Sequence, residues 1–548
     1  MRALRALMAS VLAAVVVLPL VTVAAARVAP PVPWSDPVAI PGTDGLANPL
    51  SATAPDGTDV VVWGLSTSTP LVNKVLAKVR LPGRQRWVDV PVRIRGEYAG
   101  INDIVGTPDG DFWAVLAIGE STETYLTRLD TRAARWTRPV RLFTDQAAYH
   151  HMSPRLGLAG DGTLVVAAIA PPVTPPSGDP VYRIAVATRG PRGSWTSRFL
   201  SPVDAMASGQ EVHVNRAGDV LVSWIQGYNL PDMTVRAATR SHRAGSPWKI
   251  RSLSAAGDSQ RAHSDLAPDG TAAVVWSATS TSFSAARLST LDVRDPLAPW
   301  VGRDLVTGVN LGVDVWVLAG NGGRATSVWL QVGGGQVLWS RHLDGSTLGS
   351  PVQLSRAGEL GELDGLVRRP DGDAFVVYQR FTTGIVSLGI EVRTLVDGAA
   401  SDAVPLTGDA ATSGNSNSER LGVDAAGHGM LLYTHGDYPD TDYTWQAQLA
   451  APSVLTGPAT GVPVARAQVV GRVAPGGTVG CRSGYWAEAA RLRYGWTRNG
   501  HPIAGATHRF YDVVRADAGK RLACRVVASN STGVDTTLRS RARDVSRR

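Results

Sequence analysis

The segment Pro268-Asp-Gly-Thr-Ala-Ala-Val-Val-Trp276 is a turn followed by a β-branched and aromatic run. Asp-Gly supplies the positive φ angles of a tight hairpin, and the run after it reads as a strand. The same pattern recurs along the chain. It appears at Pro55-Asp-Gly-Thr-Asp-Val-Val-Val-Trp63, at Pro108-Asp-Gly-Asp-Phe-Trp113 and at Gly160-Asp-Gly-Thr-Leu-Val-Val166. It continues at Ala217-Gly-Asp-Val-Leu-Val-Ser-Trp224, Gly320 to Trp329, Pro370-Asp-Gly-Asp-Ala-Phe-Val-Val-Tyr378 and Ala426 to Tyr433. The turn glycines are Gly57, Gly110, Gly162, Gly218, Gly270, Gly322, Gly372 and Gly427, at spacings of 53, 52, 56, 52, 52, 50 and 55 residues. A fixed period of this length is the mark of a repeat architecture.

Each unit reads as four strands: one before the turn, the Val/Trp run after it, a short alternating stretch, and a last strand near a Trp or a Pro. Such last strands follow Trp87, Trp136, Trp195, Trp248 and Trp300, and lie at Ser350 to Leu354 and Ala403 to Leu406. The final unit, near Trp445, lacks one, while an unassigned copy, Trp34-Ser-Asp-Pro-Val-Ala-Ile40, precedes the first turn. A ring of sheets must hide its edge strands. The spare strand is therefore expected to complete the last unit and close the ring. These features resemble β-propellers of the WD40-like and sialidase-like kinds over about residues 33–450, in strand order and Asp-Gly placement. The resemblance implies an eight-bladed all-β propeller with end-joining closure. The sialidase Asp-box and the Gly-His and Trp-Asp signatures of WD40 repeats are missing, so the likeness is to the architecture.

The flanks differ. Residues 1–26 read as a signal peptide: Arg2 and Arg5, an apolar stretch broken at Pro19, and the small triplet Ala24-Ala25-Ala26. No later run reaches the about 18 apolar residues of a span. The mature chain is thus expected to be secreted, without a membrane span, monomeric, and in some settings associated with the cell surface. Residues 451–463 form a Pro- and Gly-bearing linker, and the period is absent beyond it. In residues 464–548 the order Cys481, Trp496, Cys524, with Asp517-x-Gly519 before the second cysteine, resembles an immunoglobulin-like sandwich of secreted bacterial surface proteins. The tyrosine-corner position holds Leu522 instead. The resemblance implies a Cys481–Cys524 disulfide, which export permits.

Composition narrows the function. The 548 residues are 44% hydrophobic and 18% charged, with two cysteines, which excludes a disordered chain and a cysteine-rich metal cluster. The net charge of +8 is uneven. Residues 451–548 hold 16 basic and five acidic residues, whereas residues 27–450 hold 36 and 41. The basic module suits anionic envelope polymers, and no nucleic-acid signature is visible. Trp63, Trp224, Trp276, Tyr378 and Tyr433 lie six residues after their turn glycines and Trp329 seven after, a recurrence that reads as packing between units. Acidic turns such as Asp56-Gly-Thr-Asp59 supply too few oxygens for calcium.

Function in such a ring is expected at the strands and loops entering its centre. The candidates there are Asp103, His150, His151, Glu211, His213, Arg261, His263, Asp314, Glu362 and Arg420, with Tyr98, Tyr149 and Asp265 beside them. His151, His213 and His263 would approach a metal site only if all pointed inward; hydrogen-bonded histidines are the plainer reading, and no metal or cofactor is expected. Two functions fit. One is a non-enzymatic scaffold that binds a glycan, a cell-envelope polymer or a protein. The alternative is an extracellular polysaccharide hydrolase or lyase of sialidase-like propeller type, of which glycoside hydrolysis needs a suitably spaced pair of carboxyl groups. No nucleophile-elbow, zinc or phosphate-loop motif is present.

Overall fold

The computed structural model describes most of residues 38–546; the longer stretches outside it are 41–46, 144–151, 174–180, 279–284, 407–415, 437–442, 450–466, 483–490 and 530–534. The described residues are nearly all β, in antiparallel sheets. No helix among them is long and apolar enough to cross a membrane.

Each repeat folds as a four-stranded antiparallel unit in simple up-and-down order. The Gly218 unit is typical: Ala207–Val214, Val220–Gln226, Thr234–Arg240 and Lys249–Ser252 pair in sequence. The second strands Val220–Gln226 and Thr271–Ala278 are buried along their whole length. That explains a continuous apolar run where a half-exposed strand would alternate. The last strands follow the tryptophans and pair outward, as at Thr196–Phe199 and Val301–Thr307. The Gly322 and Gly372 units share one sheet through a single parallel bridge between Gln336 and Leu360.

The first strands of successive units lie against one another. Ala47–Thr53 meets Gly100–Gly106, which meets Met152–Leu158, then Ala207–Val214, Ala262–Leu266, Leu311–Gly320, Leu360–Arg368 and Ser416–Val423. The last of these lies against Ala47–Thr53, so the series returns to its start. The spare N-terminal strand supplies the missing edge of the last unit. Val38 and Ala39 pair with Ala447 and Gln446 of Tyr443–Leu449. Trp34 lies outside the described residues. Ile40 is buried there with Val61, Trp63 and Leu432.

Packing between units forms the core. Val165, Ala167, Ile184 and Val186 of the Gly162 unit meet Val212, Val220, Val222 and Trp224 of the next. The recurrent aromatics Trp63, Trp224, Trp276, Trp329 and Tyr378 are all buried; the Tyr433 side chain lies outside the described residues. Near the turns the inner strands come closer than a side chain permits. A Cβ on Gly106 would sit 2.5 Å from the Ala54 Cα, and one on Gly422 would sit 2.5 Å from the Thr53 Oγ1.

The turns correct one expectation. Ala54 N–H bonds to the Thr58 carbonyl at 2.7 Å and Gly57 N–H to the Ala54 carbonyl at 2.8 Å. This is a three-residue loop with a bulged glycine, and only the glycine, at φ +84°, adopts positive φ. Asp56 instead accepts the Thr58 N–H on Oδ1 at 2.9 Å, as Asp161 and Asp269 do for Thr163 and Thr271. The carboxylate caps the loop while the glycine bends it.

The C-terminal module has two sheets over one core. Gln468–Gly471, Thr478–Arg482 and Phe510–Asp512 form one; Arg491–Arg498, Arg521–Ser529 and Asp535–Arg539 dominate the other. Cys481 and Cys524 form a disulfide, with Cα atoms 5.8 Å apart. Trp496 packs in the same core with both cysteines, Val479, Leu522 and Val526. Buried Asp517 accepts the Val514 N–H at 2.8 Å, the Tyr511 hydroxyl at 2.9 Å and Arg498 Nε at 2.5 Å.

Candidate functional site

Inner strands alternate, so every second side chain faces the space they enclose. Val212 and Ser264 are buried, which turns Glu211, His213, His263 and Asp265 the other way. These four converge. His263 Nδ1 lies 2.6 Å from Glu211 Oε1. Glu211 Oε2 accepts the Ser264 N–H at 2.6 Å and the Ser264 hydroxyl at 3.0 Å. His213 sits between two carboxylates, with Nε2 3.6 Å from Glu211 Oε2 and Nδ1 3.6 Å from Asp265 Oδ1. Both distances exceed a hydrogen bond, so the attraction is ionic.

Two further strands complete the cluster. Asp265 Oδ2 accepts the Ala319 N–H at 2.9 Å and the Arg368 guanidinium. Arg368 belongs to the Gly372 unit and Asp265 to the Gly270 unit, so this ion pair joins units that are not neighbours in the series. Trp316 stacks on His263 with ring centroids 4.5 Å apart and planes 15° from parallel. The cluster is partly open: 30% of the His213 side-chain surface and 23% of that of Glu211 remain exposed.

The electrostatics follow from this geometry. Burial alone would raise the Glu211 carboxyl, but the attraction of His263, its hydrogen bond and the ionic attraction of His213 outweigh it and hold Glu211 well below the usual carboxylate range. Burial would lower His213, yet Glu211 and Asp265 reverse the sign and raise it. The arrangement favours an ionised Glu211 and the protonated form of His213. Such a cluster binds and orients polar groups, and Glu211 carries no proton to donate near neutrality.

The other candidates disperse. Asp103 lies on Gly100–Gly106 and accepts the Leu156 N–H on Oδ2 at 2.9 Å and the Ile104 N–H on Oδ1 at 3.0 Å. It thereby ties one inner strand to the next, as Glu211 and Asp265 do. Arg261 and Glu362 are exposed. His150, His151, Tyr98 and Tyr149 and the side chains of Asp314 and Arg420 lie outside the described residues. Among the described residues no group of three or more His, Cys, Asp or Glu is arranged to hold a metal ion.

Arg368 and Trp316 escaped the sequence reading. A signal for Arg368 exists: the equivalent last inner-strand positions hold Thr53, Gly106, Leu158, Val214 and Leu266, so a lone charge stands in a small or aliphatic register. A second polar cluster was also missed. Arg380 donates Nε and Nη2 to Glu359 at 2.6 and 2.7 Å and Nη1 to Glu391 at 2.8 Å, and Tyr378 donates to Glu391 at 2.7 Å. Tyr378 is fully buried and burial pushes its hydroxyl up, so it acts as a structural donor. At the turn end of the ring a cavity of about 520 Å³ is bordered by Pro55, Pro268, Asn321, Arg324, Arg369 and Asp424.

No protein-family model matches this chain, and no curated protein matches it in sequence. Solved structures similar to it include the Dos1 propeller, 10% identical at a TM-score of 0.46, covering 76% of this chain and 95% of that one. Another is the β-propeller domain of the Trilobed protease from Pyrococcus furiosus, 13% identical at 0.36, covering 69% and 99%. A third is an ulvan lyase of polysaccharide lyase family PL25, 10% identical at 0.35, covering 63% and 93%. β-Propeller proteins therefore stand among the structural neighbours of this all-β chain, at identities that say nothing of its chemistry.

Proposed function

We propose that this chain is an exported, non-catalytic binding protein: an eight-bladed β-propeller closed by its N-terminal strand, followed by an immunoglobulin-like sandwich. The unbroken circuit of inner strands and the Val38–Ala39 pairing support the ring. The Trp496 core beside the disulfide supports the sandwich. The Glu211–His213–His263–Asp265–Arg368 cluster is the recognition site, and its ligand is a glycan. Trp316 and His263 offer stacked rings on which a sugar face packs, and the charged groups around them meet hydroxyls.

One observation carries the non-catalytic reading. Glu211 and Asp265 each accept a backbone N–H of the neighbouring strand and each have a side-chain partner, His263 for Glu211 and the Arg368 guanidinium for Asp265. A glycosidase acid needs a carboxyl raised toward neutrality, and Glu211 is driven the opposite way. The test is to incubate residues 27–548 with a panel of immobilised glycans while following reducing ends and unsaturated products. Retention without product, weakened by Glu211→Gln and Trp316→Ala, is expected. Product formation abolished by Glu211→Gln would establish the hydrolase or lyase alternative instead.

A further inference from the structure

The outward face of the larger C-terminal sheet carries an arrangement that folding does not require. Leu522, Cys524 and Val526 point into the core, so Arg525 points out. Its register partner on one side is Arg539, also exposed. Directly opposed like charges, about 4.5–5.5 Å apart at Cβ, weaken a sheet. On the other side the partner of Arg525 is Gly495. Gly495 lies mid-strand and outside the positive-φ region, so its backbone does not demand glycine. A Cβ built there meets nothing within 4 Å. The result is an open notch in the sheet beside Arg525, with Arg539 one strand further out and Arg493 and Thr497 bordering it two residues away along the strand. A glycine inside a strand costs stability and often marks a bulge, a bend or a site where a ligand or another backbone approaches closely; Gly495 sits at no register shift and no backbone approaches it.

We propose that this notch binds the phosphodiester groups of an anionic polymer of the cell envelope. The non-bridging oxygens of a tetrahedral phosphodiester accept from donors spread in three dimensions, so guanidiniums from adjoining strands engage it together, whereas a carboxylate accepts best from donors near its own plane. The bound anion also relieves the Arg525–Arg539 repulsion. The excess of 16 basic over five acidic residues in 451–548 draws the polymer in from a distance. This site lies on the C-terminal module and stands independently of the glycan reading of the ring.

The test uses the mature chain and poly(glycerol phosphate) as probe, with polygalacturonate as the carboxylate arm, by titration at 0.15 M salt. Poly(glycerol phosphate) is expected to bind at least about tenfold more tightly than polygalacturonate. Gly495→Leu fills the notch in open space; it is expected to abolish binding while leaving the thermal midpoint of the module unchanged or raised. Arg525→Glu with Arg539→Glu is expected to do the same. Equal binding by wild type and Gly495→Leu overturns the proposal, as does equal or tighter binding of polygalacturonate. If the Arg double variant unfolds, the Gly495→Leu result decides.

Discussion

His213 is held between two carboxylates, and this placement sets a pH window. Its pKa is raised from 6.5, so its contribution to stability is complete below 6.5 and is lost as pH rises through the elevated value. Glu211 is lowered from 4.5, so its contribution is complete above 4.5 and is lost as pH falls through the depressed value. The melting-temperature difference between wild type and His213→Gln is therefore expected to peak between about pH 4.5 and 6.5 and to shrink on both sides. Calorimetry from pH 4 to 9 measures it, and a flat difference would remove the ionic account. Glu211, His213 and His263 were legible in the sequence because they sit in polar stretches just ahead of the repeated turns. Their mutual contacts were not legible: those depend on which residue of a strand faces inward, and register shifts between Ser208 and Glu211 and between Leu311 and Val315 break a simple count.

Strands and turns were the most readable elements, since turn glycines and buried Val/Trp runs leave strong local signals. The turn type was misread because Asp-Gly serves both two-residue and three-residue loops, and the choice is made by the strand register across the loop. The structure adds that neighbouring turns touch. A Cβ on Gly110 would come within 2.3 Å of the Asp56 Oδ2, while Gly245, at φ +76°, has nothing within 4 Å. Gly245→Ala is expected to cost about 1–2 kcal/mol from backbone conformation alone. Gly110→Ala adds displacement of the Asp56 cap and is expected to cost about 1 kcal/mol more. Urea midpoints of the two variants report the difference, and equal losses would mean the turns do not support each other.

Two modules with separate cores are expected to melt separately. Replacing Cys481 and Cys524 by alanine should weaken the C-terminal module by about 2–5 kcal/mol and leave the transition of the repeat region in place. Loss of both transitions together would show that the modules are coupled. Ring closure was legible at this scale through a mismatch in strand number: a last unit short by one strand and a first unit preceded by a spare. The site was not, because Arg368 and Asp265 meet across an intervening unit and 103 residues of chain. Deleting residues 27–40 is expected to strip the edge from Tyr443–Leu449, uncover Trp63 and Leu432 beside Ile40, and make the final unit the first to be cut by protease. The pairing of Val38 with Ala447 also has a consequence in time. The strand made first waits for a partner made some 400 residues later, about 20–80 s at ordinary rates of synthesis. Throughout that interval the growing protein is an open arc with two bare edges, and it leaves the reach of aggregation only when its oldest and youngest segments meet.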